Sequence, residues 1–241
     1  GIIDYGAGSE AKGDKNLWTE KEYGDFVLMI DWRLKRTTGH YNVPIVLSNG
    51  THLQDAAGKD ITIPLPNADS GIYLRGAGKS QVNIWCWPIG SGEVYGYRMD
   101  KKMPPAVRAG VTPRVNADKP VGEWNTFYIR MVGEHVDIKL NGKTVVDNVV
   151  LENYWNRKRP IYPTGQIELQ NHGNTLYFRN VYLREISGAE ANAILTTEKE
   201  GFKSVFNGKD LSGWAGPIQN YEVTDGTLGC KKGTGGTIYT E

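Results

Sequence analysis

Apolar and polar positions alternate with a period of two along most of the chain, the spacing that sends successive side chains to opposite faces of a β-strand. Over Asp25–Leu34, the residues Phe26, Leu28, Ile30, Trp32 and Leu34 fall on one face, while Asp25, Val27, Met29, Asp31 and Arg33 fall on the other. This predicts a half-buried strand with a mixed second face. The same alternation predicts strands at Gly71–Arg75, Gln81–Trp87, Thr126–Val132, His135–Leu140, Lys143–Val146, Gln166–His172 and Leu176–Leu183. Asn141-Gly142 separates two of them, and its tolerance of positive φ suits a type I′ hairpin. Helical spacing occurs at one place. Ser187-Gly188-Ala189-Glu190 has capping-box spacing ahead of Ala191, Ala193, Ile194 and Leu195, which predicts a short helix and then a polar linker, Thr196–Gly201. Two stretches rich in turn formers, Thr38–Asp69 and Met99–Lys119, read as long loops at the rim of the sheets, where binding loops sit. The architecture these elements predict is all-β, an antiparallel β-sandwich of two stacked sheets with one short helix.

Composition changes this picture little. The 30 Gly and 11 Pro in 241 residues agree with many turns between short strands. Lys+Arg 28 against Asp+Glu 27 leaves a net charge of +1. That lacks the basic surplus a row of phosphates demands, so no nucleic acid partner is expected. No apolar run approaches the roughly 20 residues of a membrane-spanning helix, so no integral membrane segment is expected either. Cys86 and Cys230 carry no metal-ligand spacing and read as two buried thiols.

Certain segments resemble a known family. Phe202-Lys203-Ser204-Val205-Phe206-Asn207-Gly208-Lys209-Asp210-Leu211-Ser212-Gly213-Trp214, followed by Tyr221-Glu222-Val223-Thr224-Asp225-Gly226-Thr227-Leu228, is similar to the opening of the 3-keto-disaccharide hydrolase domain family. Trp18–Phe26, Ser70–Gly76, Gly122-Glu123-Trp124-Asn125, Leu169–Gly173 and Phe178-Arg179-Asn180-Val181 resemble later parts of it. The resemblance implies a concanavalin A-like jelly roll whose concave sheet binds sugar. The family's opening lies at this chain's end, and Leu17-Trp18-Thr19-Glu20 is echoed by Ile238-Tyr239-Thr240-Glu241. The order implies a circularly permuted single domain, 1–241, in which 201–241 completes the sheets begun at 17–34. The alternative is a piece of a tandem protein whose final residues belong to a following domain.

Candidate site residues follow from facing. In Gln166–His172, Glu168, Gln170 and His172 share one face, which reads either as solvated or, with the resemblance, as a binding face. Gln81, Asn83, Trp85 and Trp87 share a face of the next strand candidate. There the indoles either stack on sugar rings or belong to the core, and the amides read hydroxyls. Trp18 and Glu20 share a face and would bring an indole and a carboxylate to one cleft. Arg75 reads either as a clamp on substrate oxygens or as a surface ion-pair partner. His40, His52 and His135 receive no role beyond loop or surface packing.

The resemblance implies an enzyme cleaving 3-keto-disaccharides or related glycosides. A ketone at C3 acidifies the C2 proton, a base removes it, the C1 substituent leaves, and water adds across the double bond. On that route His172 is the base and Glu168 or Glu20 the acid, while Arg75 or a divalent metal steadies the enolate oxygen. Substrate contacts fall to Gln170, Asn83, Trp85 and Trp18. Where the family pattern carries glutamate, glutamine and aspartate, this chain has Gln81, Asn83 and Cys86. That departure implies the alternative, a non-catalytic carbohydrate-binding module of the same fold. A sugar-processing sandwich with a trimmed start fits an exported bacterial protein, periplasmic or extracellular.

Overall fold

In the computed structural model of the chain, residues 1–5, 16–37, 39–76, 79–173, 175–197 and 204–240 are described. Thr38 at the start of the first expected loop, Ala77 and Gly78 beside Arg75, the end of the expected linker (198–201), Phe202 and Lys203 of the C-terminal motif, and Glu241 of the terminal echo lie outside them. The chain divides into two compact units, Gly1–Arg184 and Glu185–Glu241.

The first unit is built from β1 (Ile2–Tyr5), β2 (Leu17–Trp18), β3 (Phe26–Leu34), β4 (His40–Pro44), β5 (Thr62–Pro66), β6 (Asp69–Tyr73), β7 (Gln81–Trp85), β8 (Asn125–Val132), β9 (His135–Leu140), β10 (Lys143–Val150), β11 (Glu168–Leu169) and β12 (Leu176–Glu185). A six-stranded sheet runs β1-β12-β3-β8-β9-β10 and a four-stranded sheet runs β2-β11-β6-β7. The β1–β12, β3–β8, β8–β9, β9–β10, β2–β11, β11–β6 and β6–β7 ladders are antiparallel. The two sheets share one apolar core, so the unit is a β-sandwich.

The period-two pattern decides which side chains enter that core. Phe26, Leu28 and Ile30 of β3 sit opposite Met131, Ile129 and Phe127 of β8, and all six are buried. From the smaller sheet come Ile72, Val82, Ile84, Ile167 and Leu169. Each such side chain contributes about 1.5–3 kcal/mol by leaving water. Asn141 at φ 51 and Gly142 at φ 81 turn β9 into β10, as the dipeptide predicts.

Both expected rim loops carry regular structure. Thr38–Asp69 contains the two-stranded ribbon β4–β5. Its Pro44, Pro64 and Pro66 read as breakers, yet a two-stranded ribbon leaves outer edges where a missing N–H costs nothing. Met99–Lys119 and its approach hold two short helices, α1 (Tyr95–Met99) and α2 (Pro105–Gly110). They are too short for a 3.6-residue pattern to stand out.

Arg75 corrects the reading of that residue as a substrate clamp. It stands just past β6 at φ 52, beside Gly76 at φ 63, in a turn that carries the side chain inward, 3% exposed. Its Nε donates to Gly24 O (2.9 Å), Nη1 to Gly133 O (2.7 Å) and Tyr162 O (3.2 Å), and Nη2 to Asp25 Oδ1 (2.8 Å). Arg75 ties the entry of β3, the β8–β9 turn and the approach to β11 together.

In the second unit, helix α3 (Gly188–Thr197) is capped by Ser187 Oγ, which accepts from Glu190 N at 3.2 Å. Strands Tyr221–Thr224 and Thr227–Cys230 form a hairpin, and Trp214–Ala215 pairs with Tyr239–Thr240. At the hairpin turn Gly226 has φ 71, and a Cβ there would meet Ala189 N at 2.3 Å, so only glycine lets α3 seat on the turn. The expected completion of the sheets at 17–34 by 201–241 differs from this pairing. β3 is flanked by β12 and β8, and β2 is an edge strand whose partner is β11. The ladder positions beside β3 are filled by strands of the first unit.

Arg75→Met is expected to cost about 3–5 kcal/mol, because it strands three carbonyls and Asp25 without their cation. Arg75→Lys should rescue little of this, since one ammonium lacks the fork that reaches four acceptors. Urea midpoints of the two variants check both statements.

Candidate functional site

The register of the four-stranded sheet assembles the candidate site. Ile72, Val82, Ile84 and Leu169 point to the core, so their neighbours in sequence must emerge on the outer face. Glu168 pairs with Tyr73, Tyr73 with Gln81, Gly71 with Asn83 and Asp69 with Trp85. One row therefore runs Glu168–Tyr73–Gln81 across the sheet. Tyr41 and Pro44 of β4, His52 of the following loop, and Tyr95 and Met99 of α1 join this face around a cavity of about 440 Å³. Asp69, Tyr73, Gln81, Asn83, Trp85, Trp87, Gln170 and His172 complete its wall.

Amides organise the floor. Gln81 Nε2 donates to Gln170 Oε1 at 2.7 Å, and Gln170 Nε2 donates to the Tyr73 hydroxyl at 3.1 Å. Gln81 lies across Gly71, where a Cβ would sit 2.4 Å from its Nε2 and 2.5 Å from its Cγ. Asn83 is 2% exposed. Its Oδ1 accepts from Glu93 N at 3.1 Å, while among the described residues its Nδ2 has no hydrogen-bond partner. A buried amide N–H of this kind costs about 1–3 kcal/mol unless something accepts from it. Trp85 and Trp87 stack at 4.0 Å and 4°. Trp87 Nε1 donates to the Tyr41 hydroxyl, and Trp85 Nε1 donates to Gly90 O at 2.6 Å.

The titrating groups are shaped mainly by burial. Tyr73 is pushed up to about 12 by burial and then by the charges of Glu168 and Asp69, so its phenol keeps its proton at neutral pH. Burial likewise raises Tyr41 and Asp69, with the His172 charge opposing the rise at Asp69. His172 Nδ1 stands 3.8 Å from Asp69 Oδ2, which is ion-pair range but too long for a hydrogen bond. His52 Nδ1 lies 2.7 Å from Asp60 Oδ2, and its Nε2 lies 3.1 Å from Arg98 Nη1. The arginine can only donate, so Nε2 accepts and Nδ1 carries the proton toward Asp60. The hydrogen bond from His52 holds the Asp60 carboxyl below its ordinary range.

The sheet brings Gln170, Asn83, Trp85 and His172 together at this cavity. Trp85 is 4% exposed because the Trp87 ring stacks on it, and it stays on the outer face outside the core cluster between the sheets. Glu168 lies under the same face but is 4% exposed, accepts from Asn16 Nδ2, and does not line the cavity. Trp18, its partner in β2, is 40% exposed on the edge strand, and Glu20 is exposed in the turn beyond. Neither reaches the wall, and Arg75 is elsewhere. Among the described residues no group of three or more His, Cys, Asp or Glu side chains is placed to hold a metal ion. Tyr73 and Asp69 were within reach of the period-two argument, since they share the face of Gly71. His52 was not, because Asp60 meets it only through the ladder between the arms of the β4–β5 excursion. Cys86 is half-buried, its thiol pushed up to about 11 by burial, whereas Cys230 is exposed rather than buried.

A β-sandwich with an amide- and indole-lined cavity on the outer face of its smaller sheet is the class these features define. The chain belongs to the family described as 3-keto-alpha-glucoside-1,2-lyase-like domain, whose model matches residues 1–184. A "putative glycosyl hydrolase" from Parabacteroides distasonis ATCC 8503 is similar in structure, with TM-score 0.46 and 19% identity over 77% of this chain and 87% of its own. A second such protein from that organism gives TM-score 0.43 and 20% identity over 71% and 68%. The carbohydrate binding module CBM66 from Bacillus subtilis gives TM-score 0.39 and 12% identity over 77% and 96%. No curated protein matches the sequence.

Gly71→Ala should displace Gln81 and cost about 1–3 kcal/mol by overpacking. Adding Gln81→Ala should recover most of that loss, because the clash is with that side chain, and denaturation of the single and double variants reads the coupling. Burial lifts Glu93 from 4.5 to about 7. The unfolded chain then releases this proton at lower pH than the folded one, so folding stability falls as pH rises from about 4.5 to about 7. Glu93→Gln should flatten that slope in thermal midpoints taken across the window.

Proposed function

We propose that this cavity binds a glycoside carrying a ketone at C3 and cleaves it by elimination followed by hydration. The observation that carries the reading is one wall holding a histidine, an amide ladder and a buried amide donor without a partner, in a chain of a 3-keto-α-glucoside-1,2-lyase-like family. His172 takes the C2 proton, with Asp69 at 3.8 Å steadying the imidazolium that forms. The C2–H electron pair becomes the enolate, whose oxygen accepts from Asn83 Nδ2. The enolate then collapses to a C1=C2 double bond and expels the C1 oxygen. Tyr73, still protonated, gives that oxygen its proton, in place of the Glu168 or Glu20 that the sequence favours. Water adding across the double bond completes net hydrolysis. Gln81 and Gln170 read hydroxyls, and the Trp85–Trp87 edge packs against sugar C–H groups. A periplasmic or extracellular setting fits such a substrate.

A non-catalytic carbohydrate-binding role is the second reading, and one observation favours it. Gln81, Asn83 and Cys86 are neutral where the family pattern carries two acids and an amide, so this face lacks a carboxylate on β7.

A time course with 3-keto-trehalose and with trehalose, with and without divalent metals, separates these readings. Glucose released from the keto sugar alone is the expected result, and His172→Ala should slow it by about 10²–10⁴-fold. Saturable binding of both sugars without release would leave the binding reading, and release from plain trehalose would contradict the elimination route.

A further inference from the structure

A second cavity, of about 630 Å³, shares His52 and Met99 with the first. Its chemistry is different. Lys101, Arg108 and the Glu93-paired Arg98 line its wall, against the single carboxylate of Asp60. Both oxygens of that carboxylate are committed, Oδ2 to His52 Nδ1 at 2.7 Å and Oδ1 to Gln54 Nε2 at 3.0 Å. Arg98 is 1% exposed and forms a buried ion pair with Glu93 at 2.6 Å. Glu93 offsets its charge, so the cationic field of the wall comes from Lys101 and Arg108. Arg108 Nε donates to Arg98 O at 3.1 Å, which holds its guanidinium on this wall. Among the described residues neither Arg108 nor Lys101 forms a close ion pair, although the Lys101 charge reaches Asp60 and helps hold that carboxyl low. A concave wall carrying two cations against one carboxylate favours an oxyanion over a neutral hydroxyl.

We propose that this second cavity is a subsite for an anionic substituent, a carboxylate or a sulfate ester, on a sugar covalently joined to the ring held in the first cavity. The inference rests on the carbohydrate reading of the first cavity and narrows it to acidic glycosides. His52 is the shared wall, positioned by Asp60 on one nitrogen and by Arg98 on the other. The chain as a whole carries only +1, so the attraction is local to this wall and does not extend to polyanions at large.

Calorimetric titration of the full chain with three probes tests it: trehalose, trehalose 6-sulfate, and trehalose with one C6 oxidised to the carboxylate. Both acidic probes are expected to bind about tenfold or more tightly than trehalose at low salt, and the advantage should shrink as salt rises. Lys101→Ala, at an exposed position, should remove part of the advantage and Lys101→Ala with Arg108→Gln most of it, with trehalose affinity unchanged. A larger gain for the sulfate or for the carboxylate identifies which group the site takes. Equal affinity for all three probes, or an advantage that survives the double variant, overturns the inference while leaving the first cavity's reading intact. No binding of any probe also overturns the inference, while the first cavity's reading is decided by the keto sugar's own time course.

Discussion

The outer face of the four-stranded sheet owes its chemistry to what the inner face must do. Ile72, Val82, Ile84 and Leu169 have to leave water together, and period-two geometry then gives their neighbours no choice of side. Tyr73, Gln81, Asn83, Glu168 and Gln170 emerge on one surface because the register is pinned by the core. A slip of one residue would expose the isoleucines and bury the amides. The site is thus secured by apolar burial, and its polar groups need not stabilise the fold to stay in place.

What makes the face a cavity rather than a solvated sheet is the covering by β4, the loop after it and α1. Tyr41, His52 and Tyr95 come from these segments and enclose side chains that an antiparallel sheet otherwise leaves in water. Burial then does the electrostatic tuning, raising Tyr73 and Asp69 and leaving the Asn83 amide N–H without a partner. The His52 loop links this neutral, aromatic space with the cationic one beside it.

The strands and their facing were legible in the alternation of apolar residues, and so were Gln170, His172 and Asn83 as members of one surface. Arg75 misled for a definable reason: its backbone has positive φ, and a turn past the end of β6 carries the side chain inward, where alternation no longer applies. Trp18 lies on the short edge strand β2 and Glu20 in the turn beyond it, where strand alternation no longer sets facing, and neither lines the cavity. His52 acquires its place only when Val46 bridges His52 and Gln54 bridges Asp60, a pairing within the β4–β5 excursion that no spacing rule announces. The C-terminal motif resembles the opening of the family, and its strands pair with one another.

In the proposed reaction His172 removes a C2 proton from a keto sugar held against Asn83. Proton exchange at C2 measures this step without requiring the bond to break. In deuterated water the protein should incorporate deuterium at C2 of methyl 3-keto-α-glucoside, followed by NMR, and His172→Ala should abolish the exchange while keeping saturable binding of the sugar. Exchange that continues at full rate in His172→Ala, or glucoside cleavage without any exchange-competent intermediate in the wild type, would contradict the account.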